Sequence, residues 1–404
     1  MSARRVARPA KPTTKPSWVT LLQFTGSSLG LMGFLSMAFS GLAYAVLQPL
    51  LFAEPFSVSI LLAAAAALWA GLLLLPSAAY SLAQLMNRPL APPPAIKCNL
   101  AALAFLLLPL VILGGAAALG QGLEILLPPV HVLAASLSVL GLVWLGLHGL
   151  RLGGPRLTWG ALASGLTAAP LLAGLLELLV GFFLLILGGI YLFTQPALAA
   201  QLPYIESALP RMQDAEEMLQ LVADFVHDPV ILGLALAQLA LFTPLIEELL
   251  KPIAVWLLVW RRPLSNAQGF AIGLLGGAGF ALLENLFSAN ASASWALTAS
   301  LRFGATAFHI ATAGLMGWAL VRAKNEGRYL GVFLVYGFTI LLHGLWNGVV
   351  VLQSFAPHFI TGREELGGFA LAAITLISLT VLAVMNRKLQ APLTQLARKS
   401  RPTQ

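Results

Sequence analysis

The sequence predicts an all-α, polytopic transmembrane bundle of about ten spans with both termini cytoplasmic, and three observations carry that prediction. Hydrophobic residues fill 59% of the 404 positions and charged residues 9%, far from the balance of a soluble globular domain. Apolar stretches of about twenty residues recur along the chain, the length that crosses roughly 30 Å of hydrocarbon at about 1.5 Å per residue. They must be helical, because lipid offers no partner to an open backbone group. The basic residues are also segregated. With ten spans and an internal N-terminus, 19 of the 23 Lys and Arg fall on the cytoplasmic side, while ten of the fifteen acids fall opposite. The net charge of +8 therefore reports topology, and lipid rather than nucleic acid is the expected surrounding partner.

Taken in order, residues 1–17 form a basic, disordered cytoplasmic tail. Residues 18–192 hold spans one to five, at about 24–48, 57–84, 100–119, 131–150 and 162–192; the first four carry no internal charge and read as scaffold. The loops "NRPLAPPPAIKCN" and "RLGGPRLTWG" join them. Cys98 is the sole cysteine, which excludes an intrachain disulfide and a thiolate metal site. Residues 193–228 are an acidic extracytoplasmic segment, and Met212, Met218, Leu219, Val222 and Phe225 are spaced as one face of an amphipathic helix. Residues 229–353 hold spans six to nine, at about 230–259, 266–288, 303–321 and 329–352, and form the expected catalytic core. A last span at about 367–386 and a basic tail complete residues 354–404. The run "GLLGGAGFA" lies within a span, so close helix packing explains its glycines better than a phosphate loop does.

Charge buried in the later spans is the functional signal. An ionised side chain near the bilayer centre costs about 2.5–3.5 kcal/mol on insertion scales, so each one needs a reason. Glu177 is in span five, Glu247, Glu248 and Lys251 in span six, Glu284 in span seven, His309 in span eight, and His343 and Asn347 in span nine. Glu247 and Glu248 precede Lys251 by four and three residues, within reach on one helix. Counted from Arg261, Arg322 and Arg328, the residues Glu247, His309 and His343 all lie roughly 20 Å from the cytoplasmic boundary. Glu284, Asn347 and Arg302 lie roughly 27 to 30 Å from it, where Glu284 and Arg302 can pair. Glu177 has no motif around it and reads as a lone neutral carboxylic acid. His131, His148, His227 and His358 lie in loops or near span ends and are expected to be uninvolved.

Two imidazoles and a carboxylate at one depth are the ligand set of a catalytic zinc site, here Glu248, His309 and His343, with the adjacent glutamate as general base. A metal-free scheme fits equally, with Glu247 and His309 activating water and His343 and Asn347 holding the oxyanion. The same carboxylates would also serve a proton- or cation-coupled transporter. Transporters carry paired repeats in both halves, whereas these polar residues crowd into one.

The ordered motifs Glu247-Glu248-x-x-Lys251, "GFALLEN" ending at Glu284-Asn285, His309 and His343-x-x-x-Asn347 resemble the PrsW family of intramembrane proteases, itself distantly similar to the CAAX prenyl-endopeptidase and Abi group. The resemblance covers Phe242 to Asn347. It implies Glu247, Glu248, His309 and His343 as the hydrolytic centre, with Asn347 and Glu284 in support and Lys251, Asn285 and Arg302 beside them. It further implies a membrane-anchored protein such as an anti-sigma factor as substrate. Zinc is the cofactor that the ligand set suggests, beside the metal-free scheme, and the apolar spans place the chain as a multi-pass protein of the cell membrane.

Overall fold

The computed structural model describes residues 17–52, 56–88, 90–91, 101–150, 152–208, 228–288, 291–355 and 364–399, and every regular element among them is helical. The first helices are α1 (Trp18–Phe52), α2 (Val58–Leu85), α3 (Ala104–Gly120), α4 (Leu127–Leu147), α5 (Pro155–Leu166) and α6 (Ala168–Leu192). Two short helical segments, Pro196–Ala199 and Leu202–Ala208, follow. The second half has α7 (Pro229–Leu236), a π-helical turn Ala237–Phe242, α8 (Thr243–Leu250) and α9 (Ile253–Val259). Then come α10 (Asn266–Phe287), α11 (Trp295–Glu326), α12 (Leu330–Phe355) and α13 (Glu364–Lys399). The amphipathic helix expected around Met212 to Phe225 lies outside the described residues, as do His227, His358 and the basic N-terminal tail.

Nine helices among the described residues are long and apolar enough to cross a membrane, so this is a multi-pass integral membrane protein. The tenth expected span is α3, whose 17 residues end at Gly120, with Gln121 as its cap and Gly122 following in the left-handed region at φ 71°. Two expected spans are broken. The fifth divides at Thr167 between α5 and α6, because Pro170 has no N–H to offer the Leu166 carbonyl. The sixth divides twice. Pro244 withholds an N–H from Ala240 at the π turn, and Pro252 withholds one from Glu248 where α8 ends.

The centre of the bundle is the pair α10 and α11, whose apolar windows are 83% and 89% buried by the other helices. A capping box starts α10, with Ser265 Oγ accepting from the Gln268 N–H at 3.2 Å and Gln268 Oε1 accepting from the Ser265 N–H at 3.1 Å. Gly327, at φ 72°, ends α11. Around this pair, α5 packs against α10, α12 and α13 against α11, α1 against α2, and α6 against α8.

Adjacent glycines on α10 set the spacing of the site. A Cβ on Gly277 would stand 2.5 Å from the His309 carbonyl oxygen, and one on Gly276 would stand 2.6 Å from the Lys251 carbonyl oxygen. Because neither exists, α11 and the Lys251 turn approach α10 on two faces at backbone distance. Gly277→Ala is expected to cost about 1–3 kcal/mol of stability, as overpacking does, and to slow any reaction that uses His309. Gly331→Ala, with nothing within 4 Å of its added methyl, is the control. Equal melting midpoints for the two variants in detergent would refute the close approach.

Candidate active site

The segment that carries the two glutamates is short because prolines bound it on both sides. Pro244 opens α8 and Pro252 closes it, so Lys251 sits in the turn at its end. Carbonyls of this broken segment take side-chain donors. Trp256 Nε1 donates to the Leu249 carbonyl at 3.0 Å, Tyr336 Oη to the Leu245 carbonyl at 2.6 Å, and Asn347 Nδ2 to the Leu239 carbonyl at 2.8 Å. Gly344 on α12 sits against the Ala240 carbonyl of the π turn, where a Cβ would come within 2.5 Å, and its neighbour His343 is thereby brought to the glutamates.

Four side chains converge on the Lys251 ammonium. Glu248 Oε1 lies 2.6 Å from Nζ and Glu247 Oε2 3.0 Å, the latter outside hydrogen-bonding geometry. His309 Nδ1 touches Nζ, and His343 Nδ1 is 3.4 Å away. All five residues are buried, and the Lys251 and Glu248 side chains have no exposure. The Glu-Glu-Lys pairing expected from helical spacing is present, and one lysine serves both carboxylates.

The outer bonds of the two imidazoles define their tautomers. His309 Nε2 is 2.9 Å from Glu284 Oε2 and donates to it, which leaves the Nδ1 lone pair facing Lys251. His343 Nδ1 donates to Glu248 Oε1 at 3.0 Å, and its Nε2 accepts from Asn347 Nδ2 at 3.2 Å, lying 3.8 Å from Glu247 Oε2. The rings stand 5.0 Å apart and nearly perpendicular, with Phe308 against both, 4.1 Å from His309 and 4.9 Å from His343. Phe280 adds a face 5.0 Å from Nζ. This aromatic wall raises the strength of every charge interaction inside it.

Glu284 links the cluster to its surroundings. Besides His309 it pairs with Arg302 at 3.1 Å, and Arg302 also donates to Asn285 Oδ1 at 2.8 Å. Their side chains are 30% and 23% exposed, so the centre opens here. Asn285 Nδ2 reaches Thr306 Oγ1 at 2.8 Å, tying the end of α10 to α11. Asn347 spends its amide on Leu239 and His343, so it holds a ring in place and is not free for an oxyanion. Glu177 is on α6, which packs against α8, and its Oε1 is buried without a hydrogen bond among the described residues. His131 is a packing residue, 3.3 Å from the Leu286 carbonyl and accepting from Trp295 Nε1 at 3.3 Å. His148 bonds the Trp144 carbonyl at 3.0 Å, away from the centre.

Three donors group as a metal would need: Glu247, His309 and His343 offer ligand atoms within 4.8 Å of one another. The spacing along the chain put Glu248 in that set; here Glu248 Oε1 accepts from His343 Nδ1, and Glu247 is the carboxylate grouped with the two rings. Sequence reasoning missed the π turn and the role of Glu284 as partner of His309. Pro244 and Pro252 were the available signals for the first, and nothing along the chain signalled the second.

The family model of PrsW family intramembrane metalloproteases matches residues 215–385, the stretch that holds the whole cluster. No curated protein and no solved structure matched the chain.

Proposed function

We propose, from the match of residues 215–385 to the PrsW family of intramembrane metalloproteases, that the chain is such a protease and that Glu247, Glu248, His309 and His343 form its hydrolytic centre. The observation that supports the reading best is the convergence of these four residues, from α8, α11 and α12, in the buried interior of the helical bundle. Among the described residues Glu247 and Glu248 gather at one lysine and two imidazoles, an arrangement that favours hydrolysis over a transporter path.

The donor chemistry fits a metal. Each imidazole has one nitrogen committed to a carboxylate, His309 Nε2 to Glu284 and His343 Nδ1 to Glu248, the outer arrangement that orients metal-ligating histidines. Glu247, His309 and His343 would hold the ion, and zinc suits two imidazoles and a carboxylate. Such an ion supplies Lewis-acid polarisation and a nucleophile at neutral pH. The protein's own part is acid–base work. A carboxylate that lends one oxygen to a cation keeps the other, so Glu247 accepts the proton of the attacking water and returns it to the amine nitrogen as the C–N bond breaks. Glu248 fixes the tautomer of His343, and Glu284 that of His309.

The substrate is a membrane-anchored protein, of which an anti-sigma-type regulator is one instance, and it is cut near the outer membrane boundary. The partly exposed Glu284 and Arg302 are nearer than His309 to the Trp295 end of α11, the outer end if both termini are cytoplasmic. Water and substrate reach the centre from that side. With purified protein and a single-span reporter, mass spectrometry should find new termini at the outer edge of the reporter's span. Cuts confined to the cytoplasmic edge would overturn both the entry side and the topology.

A further inference from the structure

A buried lysine ordinarily pairs with one carboxylate, but Lys251 stands at the point on which a whole donor set converges. Its Nζ is 2.6 Å from Glu248 Oε1, 3.0 Å from Glu247 Oε2 and in contact with His309 Nδ1. The last is a bare lone pair, because the proton of that ring is on Nε2, facing Glu284 at 2.9 Å. The lone pair and the Glu247 carboxylate belong to the group able to hold a metal. An ammonium and a divalent ion are attracted by the same two donors, the Glu247 carboxylate and the His309 lone pair, and two cations cannot share them.

We propose that Lys251 is an internal occupant of the metal position, a tethered cation that holds Glu247, Glu248 and His309 together and must withdraw for a metal to enter. The inference rests on the reading of Glu247, His309 and His343 as the metal donors. The fold supplies the tether. Pro252 breaks the helix just after Lys251, so its side chain leaves from a turn rather than from a continuous ladder. On the far side, Gly276 lets the Lys251 carbonyl lie against α10. The single ammonium lies within 3.0 Å of both buried carboxylates and offsets one of their two charges, whereas a neutral imidazole offsets none. Metal loading is then an exchange of one cation for another, and the resident lysine weakens apparent affinity by its own hold on the oxygens.

The full-length protein in detergent tests this, as wild type, Lys251→Met and Lys251→Gln. Zinc binding is measured by equilibrium dialysis with elemental analysis, cobalt binding by visible absorption, and thermal unfolding with and without zinc. One ion per chain bound at least tenfold tighter by either variant than by wild type is the expected result. Zinc should also raise the variant's midpoint by more than it raises the wild type's. Adding His309→Ala to Lys251→Gln should abolish the cobalt spectrum. Equal or weaker binding by the variants would overturn the competition while leaving the metal reading intact. No binding by any of the three proteins would overturn both. The glutamine variant retains hydrogen-bonding capacity toward the glutamates, so binding can be read even where the methionine variant does not fold.

Discussion

Glu247→Gln is expected to lower the rate of reporter cleavage by about 10³-fold while leaving the melting midpoint near that of wild type. The amide has the shape of the carboxylate but cannot take the proton of the attacking water. Lys251 keeps Glu248 as its closer partner, at 2.6 Å against 3.0 Å, so neutralising Glu247 leaves no buried charge unpaired. Glu248→Gln is expected to reduce the rate as far by another route. Glu248 Oε1 is at once the closest partner of Lys251, at 2.6 Å, and the acceptor of the His343 Nδ1 proton, at 3.0 Å. Neutralising one partner of a buried pair costs about 3–5 kcal/mol, so this variant should melt well below wild type. The contrast between them is the test. Turnover by Glu247→Gln within tenfold of wild type would show that the proton goes elsewhere.

His309→Ala and His343→Ala are each expected to remove at least 10³-fold of the rate and to leave the purified protein with less than one metal ion per chain. Each ring contributes one of the three donors that lie within 4.8 Å of one another. Asn347→Ala is the informative companion. Asn347 Nδ2 lies 3.2 Å from His343 Nε2, the nitrogen left for a metal once Nδ1 is bonded to Glu248, so its loss should lower the rate about 10- to 100-fold by loosening the ring and should not release the metal. Elemental analysis beside initial rates separates the cases. Full activity after exhaustive chelation, with both histidines still essential, would assign the chemistry to Glu247 and the imidazoles without an ion.

Much of this was legible along the chain. Span positions follow from apolar length, and the pairing of Lys251 with Glu247 and Glu248 follows from helical spacing. The meeting of Glu247, His309 and His343 was anticipated from their common depth, and the Glu284–Arg302 pair from theirs. Rotation about a helix axis is another matter. Depth cannot say that Glu284 turns toward His309 or that Glu248 rather than Glu247 meets His343 Nδ1, because each depends on crossing angles and rotamers across three helices. Nor does apolar length register a helix broken internally. Spans five and six look continuous in hydropathy, while Pro170, Pro244 and Pro252 interrupt their hydrogen-bond ladders.

The burial of α10 and α11 has a consequence for how the protein is made. These two helices carry Glu284, Arg302 and His309, and α11 is the least apolar of the long helices among the described residues. Alone in lipid, each would expose charge and a glycine-rich backbone to hydrocarbon, so neither is expected to settle in the membrane by itself. By the time the translating ribosome reaches Asn266, the helices from α1 through α9 have already been synthesised. They form a ready-made medium, richer in dipoles than the bilayer, into which the charged pair can partition as it emerges. The plain, leucine-rich first half of the chain is in this sense the solvent for the reactive half.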